Sequence, residues 1–274
     1  MSYHQNYKVG IVGYGYVGKA FHRVFPDAKI YNRHAKDINR QRIKLNKCDL
    51  VIISAPTPTD KDGWSCNTSM VEEHIKWLNC EVILIKSTVP PGTTDYFRKK
   101  YKKRICFSPE YIGEGNYFTP FWKYPDPVNP ISHGFMIIGG EKKDTEFVVD
   151  VFIKKMGPHT FFYQTDARTA EFIKYMENVW GAMKVTWANE MYECAKALGV
   201  NYHEAREGWA LDPRVEKMHT AVFKKKRGFA GKCFPKDLRA FISECKKAGY
   251  KPTLLEEVVK VNNRIRRENG LDEV

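Results

Sequence analysis

The residue best suited to nucleophilic chemistry is Cys233, within Gly228-Phe-Ala-Gly231-Lys-Cys233-Phe-Pro-Lys236-Asp237. It precedes by two residues a proline fit for the first position of a helix. A thiol there feels the positive helix end and the neighbouring Lys232 and Lys236, all of which favour thiolate. The bland alternative is a buried structural cysteine. Lys174 and Asn178 are four residues apart, so on a helix they share a face and could converge on one oxygen. Solvated pairs have the same spacing. A cation and an amide aimed at a developing alkoxide would stabilise it as an oxyanion hole does. Asp237, four residues beyond Cys233, could hold Lys174 or a water in place.

A second constellation is Gly13-Tyr-Gly15-Tyr16-Val17-Gly18, a G-x-G-x-x-G run directly after the strand-like 8–12 and before a helical pattern over 19–25. Glycines there permit a tight turn and close approach of backbone to a pyrophosphate facing the helix N-terminus. The same turn without a ligand is the bland reading. Dinucleotide sites usually place an acidic residue about twenty positions further on, yet here the strand ends Ile30-Tyr31-Asn32-Arg33. Asn32 could hydrogen-bond a ribose and Arg33 could pair with a 2′-phosphate, so the residues leave NAD and NADP both open.

Positioning these groups requires alternating elements. Apolar runs of strand length at 8–12, 28–31, 50–54, 82–86, 105–108 and 135–138 are separated by helical patterns. That alternation predicts an α/β, Rossmann-like, doubly wound parallel sheet. A long loop rich in proline and aromatics follows residue 108, and loops of that length are often functional. From Asp166 the texture changes: Phe172, Met176, Val179, Met183, Trp187, Met191, Cys194 and Leu198 recur at helical intervals up to Gly199, predicting one long helix with this stripe in its core. Two further helices are expected over 235–247 and 254–267, the latter behind a capping box at Thr253-x-x-Glu256. The expected domains are 1–165, binding a dinucleotide, and an all-helical central, dimerising domain over 166–274. The uncovered stripe Leu254, Val258, Val261 and Ile265 suggests a homodimer.

A chain of 274 residues with 43 % apolar content has material for two domains. The formal charge of +13 favours an anionic partner, and charge alone does not choose between nucleic acid and a phosphorylated small molecule. Much of it lies in the runs 98–104 and 224–227, for which solvated loops are the default. The N-terminus lacks a secretory signal and no apolar run is long enough to span a bilayer, so a cytoplasmic location is expected. Seven cysteines show no zinc-ligand spacing, and no metal site is expected.

The order of further motifs identifies a family. Ala55-Pro-Thr57-Pro follows the third strand, Lys86-Ser-Thr88-Val-Pro-Pro-Gly the fourth, and Ser108-Pro-Glu110-Tyr111-Ile112-Gly-Glu114-Gly the fifth. Ala170-Glu171-Phe-Ile-Lys174-Tyr-Met-Glu-Asn178, Asn189-Glu190, Leu211-Asp-Pro-Arg214 and the Cys233 loop come later. Over nearly its whole length the chain resembles the nucleotide-sugar 6-dehydrogenases, which oxidise sugar nucleotides such as UDP-glucose to uronates. The resemblance implies NAD, contacted by the glycine run with Tyr16 and Val17, by Asn32 and Arg33, and by Ala55, Thr57, Thr88 and Glu114. It implies a sugar-nucleotide substrate contacted by Glu110, Tyr111, Ile112, Lys174, Asn178, Arg214, Gly228 and Gly231. Two hydrides would leave the sugar in turn, with Cys233 forming first a thiohemiacetal and then a thioester. Glu114 is the implied general base for hydrolysis, Thr88 positions the water, and Glu110 orients.

Two departures stand out. The family pattern before the nucleophile is Gly-Phe-Gly-Gly-Ser-Cys, where this chain has Ala230 and Lys232. Family members also continue into another doubly wound domain that grips the nucleotide, so base recognition is expected to be lacking here or to come from another chain. The run Lys224-Lys225-Lys226-Arg227 could then meet a pyrophosphate. Two rival readings are a single-step 3-hydroxyacid-type dehydrogenase, which needs no cysteine, and a binding protein without catalysis that uses its basic surface.

Overall fold

The structure, a computed structural model, describes residues 6–112 and 129–274. The chain divides into two compact units, one of residues 1–58 and 67–174 and one of residues 59–66 and 175–274.

In the first unit, strands β1 (Val9–Val12), β2 (Lys29–Tyr31), β3 (Leu50–Ile53), β4 (Val82–Ile85), β5 (Ile105–Phe107), β6 (Phe135–Gly139) and β7 (Phe161–Thr165) form one sheet in the order β2-β1-β3-β4-β5-β6-β7. The central strands are buried on both faces, which is why they read as unbroken apolar runs. Their side chains alternate between two cores. Val51, Ile53, Ile83 and Ile85 pack with helices α2 (Ile38–Leu45), α3 (Ser69–Trp77) and α4 (Thr93–Tyr101). Leu50, Ile52, Val82 and Leu84 pack with α1 (Tyr16–Val24) and α5 (Lys142–Met156). Helices on both faces make the sheet doubly wound.

Two features of the sheet differ from the sequence expectation. β6 runs antiparallel to β5, whereas all other neighbours are parallel. β7 escaped prediction because it is a weakly covered edge strand, with Phe161 and Tyr163 exposed. The basic run at 98–104 is also more than a solvated turn. Arg104 pairs with the buried Asp144 and with Glu81, and Lys103 donates to the carbonyls of Ile75, Lys76 and Leu78 at the end of α3.

A 31-residue helix, α6 (Ala167–Ala197), contains the boundary between the units, and Gly199 follows it with φ +70°. The second unit adds α7 (Tyr202–Trp209), α8 (Phe234–Lys247) and α9 (Thr253–Glu268). Its core holds Val179, Ala182, Phe229, Leu238, Ile242 and Val258. Three expectations are corrected here. The stripe on α6 has the predicted period, but Met176, Trp187, Met191 and Leu198 are exposed, and the helix buries Ala182, Ala188 and Asn189 instead. The stripe on α9 is largely covered by the chain itself: Val258 and Ile265 are buried and only Leu254 is exposed. No capping box forms, because Thr253 lies inside the first turn and Glu256 pairs with Lys246.

Candidate active site

The glycine run turns from β1 into α1, and each glycine answers a different demand. Gly13 has φ +88°, and a side chain on it would meet Ser54 O at 2.5 Å. Gly18 packs the helix against the turn so closely that a Cβ would lie 1.9 Å from Gly13 O. Gly15 precedes the helix with φ −80°, and a Cβ there would meet no heavy atom within 4 Å. The space over Gly15 therefore serves no packing need of this chain, and it adjoins a helix N-terminus with no acidic residue in its first turn. That combination accommodates a pyrophosphate. Tyr16 is exposed and Val17 half-buried. Ser54, which the sequence reading did not single out, ties the turn to β3 by donating to Gly13 O at 2.7 Å.

At the ends of the following strands, Ala55 and Thr57 are buried, and Thr57 Oγ1 donates to Thr88 O at 2.8 Å. After β2, Asn32 Oδ1 accepts from His34 N at 3.0 Å, closing a local turn. The Arg33 guanidinium donates to His34 Nε2 at 3.1 Å and is exposed.

The segment after β5 is held by two lysines. Lys174, 8 % exposed on α6, donates to Glu110 O and lies over the Tyr111 ring. Lys86, 5 % exposed after β4, donates to Ser108 Oγ at 3.0 Å and Pro109 O at 2.9 Å. Glu110 Oε1 accepts from Ile112 N, while Glu110 Oε2 is buried without a hydrogen-bond donor. Burial pulls the Lys86 ammonium down to about 8, against the opposing pull of Glu110 and with that of Lys174. Glu171, also on α6, is fully buried and takes hydrogen bonds from Gly92 N, Thr94 N and Thr94 Oγ1, which fixes the turn after Thr88. Burial still raises its carboxyl to about 7. Lys86 and Glu171 stand inside quoted motifs, yet neither was assigned a role from sequence, since a partner 20 to 80 residues away leaves no local pattern. Glu114 lies outside the described residues.

In the second unit Cys233 occupies the N-cap position of α8, with Pro235 in the first turn, as its sequence context predicts. It is exposed. Burial instead pushes Cys48 up to about 11 and Cys80 up to about 12, and raises Cys106 as well, which disfavours the thiolate at all three. Asp237 is buried on the first turn of α8, where it accepts from Asn178 Nδ2 and Lys236 Nζ. Asp237 thus fixes Asn178 and Lys236, two partners that its position in the sequence does not reveal. Burial alone would lower the Lys236 ammonium; Asp237, then Cys66 and Cys233, hold it above its ordinary value.

The loop before the nucleophile is clamped by two asparagines absent from the sequence assignment. Asn262 Oδ1 accepts from Phe229 N at 2.7 Å, and its amide returns to Phe229 O. Asn189 Oδ1 accepts from Arg227 Nε at 2.7 Å and from Gly228 N. Gly228, with φ +69°, has no room for a side chain beside Asn262, whereas Gly231 is open. Arg227 is 3 % exposed and paired with Glu193, so of the run 224–227 only the three lysines face solvent. Its expected grip on a pyrophosphate is corrected to a structural role. Arg214 is exposed and bound to Asp212, two residues away. Among the described residues no cluster of His, Cys, Asp or Glu could hold a metal ion, and no helix is long and apolar enough to cross a membrane.

Residues 32–150 match the NAD binding domain, and residues 168–264 the central domain, of the UDP-glucose/GDP-mannose dehydrogenase family. A UDP-glucose 6-dehydrogenase of Rickettsia bellii is 28 % identical over 267 residues, covering 90 % of this chain and 58 % of the relative. The chain spans about half the length of the curated relatives it matches. A solved UDP-glucose dehydrogenase from Pyrobaculum islandicum shares the fold at TM-score 0.76 and 24 % identity, over 96 % of this chain and 69 % of that one. A 3-hydroxyisobutyrate dehydrogenase of Mycobacterium tuberculosis shares it at TM-score 0.64 and 12 % identity, over 98 % and 97 %.

Proposed function

Because the chain belongs to the UDP-glucose/GDP-mannose dehydrogenase family and carries its NAD-binding and central domains, we propose that it oxidises the primary alcohol of a sugar nucleotide, such as UDP-glucose, to the uronate. The observation that carries the reading is Cys233, an exposed thiol at the head of α8 on a clamped loop, beside the cationic Lys236.

The open cradle over Gly15 fits NAD, held by the N-terminus of α1 and by the turns bearing Ala55, Thr57 and Thr88. NAD supplies the electron acceptor for each of the two oxidations. Lys174 and Asn178 donate to the substrate oxygen and stabilise charge as it develops there. The Cys233 thiolate adds to the aldehyde carbonyl, and the oxygen takes a proton to give the thiohemiacetal. After the second oxidation the resulting thioester is cleaved by water, whose proton passes to Glu114, while Thr88 positions that water and Glu110 orients it. Asp237 fixes the Asn178 amide. The exposed lysines at 224–226 attract the substrate pyrophosphate. Asn32 and Arg33 receive the adenosine ribose of NAD.

The likeness to 3-hydroxyisobutyrate dehydrogenase, which extends over nearly the full length of both chains, favours a second reading: one hydride transfer without a thioester. Full turnover by Cys233→Ser would select it. The exposed apolar face of α6, with Met176, Trp180, Trp187 and Met191, is assigned to a homodimer contact. The test of the main reading is incubation with NAD and a panel of sugar nucleotides while reduced nicotinamide is followed. Reduction with at least one of them is expected, and none with the whole panel would refute it.

A further inference from the structure

The Ser108–Glu110 turn presents an arrangement that the reaction as proposed does not use. Lys86 is buried at the end of β4, and two of the three hydrogens of its ammonium go to Ser108 Oγ and Pro109 O. Its face lies over the Phe21 ring, 4.7 Å from the centroid. Ser108 Oγ in turn donates to Ile137 O, so the hydroxyl is fixed from both sides. The third ammonium hydrogen has no role in holding this turn. Beside it lies a cavity of about 20 Å³ whose walls include Lys86, Glu110, Tyr111 and His133. A water needs roughly 10–15 Å³ and two to four polar partners, and this cavity offers the volume and the groups. Glu110 Oε2 is the buried oxygen that lacks a donor.

A buried cation with no carboxylate bonded to it costs several kcal/mol of desolvation, so its retention here calls for a function. The charged groups that act on it are Glu110, which favours the ammonium, and Lys174, which opposes it. Lys174 is itself turned to the backbone oxygen of Glu110. Lys86 and Glu110 line the same cavity.

We propose that Lys86 is a positioning residue for Glu110: it fixes the Ser108–Glu110 turn through two hydrogen bonds and places its positive charge on the wall of the cavity that Glu110 also lines. This inference rests on the role given to Glu110 in the proposed function. Lys86 touches neither cofactor nor substrate in this scheme and acts only through Glu110.

The test titrates Glu110 in the chain without substrate, by carbon-13 NMR of labelled glutamate carboxyls, with Glu110→Gln to assign the signal. In Lys86→Gln the Glu110 titration is expected to move up, since loss of an opposite charge from the same cavity disfavours the carboxylate. In Lys86→Arg, which keeps the charge, it should stay within about 0.3 of the parent. With a sugar nucleotide that the parent oxidises, Lys86→Gln should lower kcat by roughly 10²-fold with KM little changed, the size of effect that follows loss of exact positioning, and should move the acid limb of the kcat profile to higher pH. An unmoved Glu110 titration in Lys86→Gln overturns the proposal. If Lys86→Gln does not fold, a full-unit upward shift in Lys86→Arg overturns it equally. A parent that oxidises no sugar nucleotide refutes the proposed function, and the NMR titration still decides the link between Lys86 and Glu110.

Discussion

Gly15→Ala separates what the glycine run does for the fold from what it does for a ligand. The parent backbone at Gly15 has φ −80° and ψ −156°, which alanine adopts without strain, and the added methyl meets no atom of the chain within 4 Å. Replacing glycine at such a site stabilises by about 0.4–1 kcal/mol through the unfolded state, which for a chain of this size corresponds to a Tm rise of about 1–4 °C. A pyrophosphate approaching the backbone to hydrogen-bond distance would collide with that methyl. Loss of one hydrogen bond to a charged group costs about 1.5–3 kcal/mol, so the Kd for NAD should rise about 10- to 100-fold. Gly18→Ala should do the opposite to the fold, because its Cβ falls 1.9 Å from Gly13 O. Overpacking of that kind costs about 1–3 kcal/mol and should lower Tm. Thermal unfolding and a fluorescence titration of reduced nicotinamide measure both variants. A Gly15→Ala variant that binds the cofactor within twofold of the parent would show that no pyrophosphate approaches Gly15.

Glu171 gives a pH dependence with a defined sign. Its carboxyl is raised from 4.5 to about 7, chiefly by burial and against the hydrogen bonds from Thr94 and Gly92. Between those values the folded chain keeps a proton that the unfolded chain has released, so stability should fall as pH rises through that window, by roughly 3 kcal/mol at most. Denaturant unfolding of Glu171→Gln should lack this slope, and a slope equal to the parent's would assign it to other groups. Arg227→Ala should cost about 1.5–3 kcal/mol, since it removes a buried charged donor from Asn189 and a partner from the part-exposed Glu193. Replacing Lys224, Lys225 and Lys226 by alanine should leave stability within about 0.5 kcal/mol and raise the substrate KM at low salt, an effect that fades as salt screens the charges. An unchanged KM at low salt would return the three lysines to a solvated loop.

Sequence reading reached those features whose cause is local. The glycine run between β1 and α1, the buried parallel strands, and Cys233 ahead of a helix with proline in its first turn each depend on neighbours a few residues away. Long-range pairing was not legible. The reversed direction of β6 and the edge strand β7 depend on strands distant in sequence, and Phe161 and Tyr163 carry no alternation of buried and exposed positions. The period of α6 was plain, but which of its faces the chain covers depends on the residues packed against it. For the same reason the hold of Asp237 on Asn178 and Lys236 was not legible, and Arg227 was read with its exposed neighbours although it is buried against Asn189. Lys86, Glu171, Asn189 and Asn262 each act on loops at least 20 residues away.

The central claim is that Cys233 carries the sugar as a thioester between two oxidations. The most direct measurement is the ratio of reduced nicotinamide to sugar consumed, taken together with the intact mass of the protein after rapid quenching. Two reduced cofactors per sugar are expected, with a uronyl adduct on Cys233 in the parent and neither adduct nor net uronate in Cys233→Ser. One reduced cofactor per sugar, or normal uronate yield from Cys233→Ser, would contradict the account.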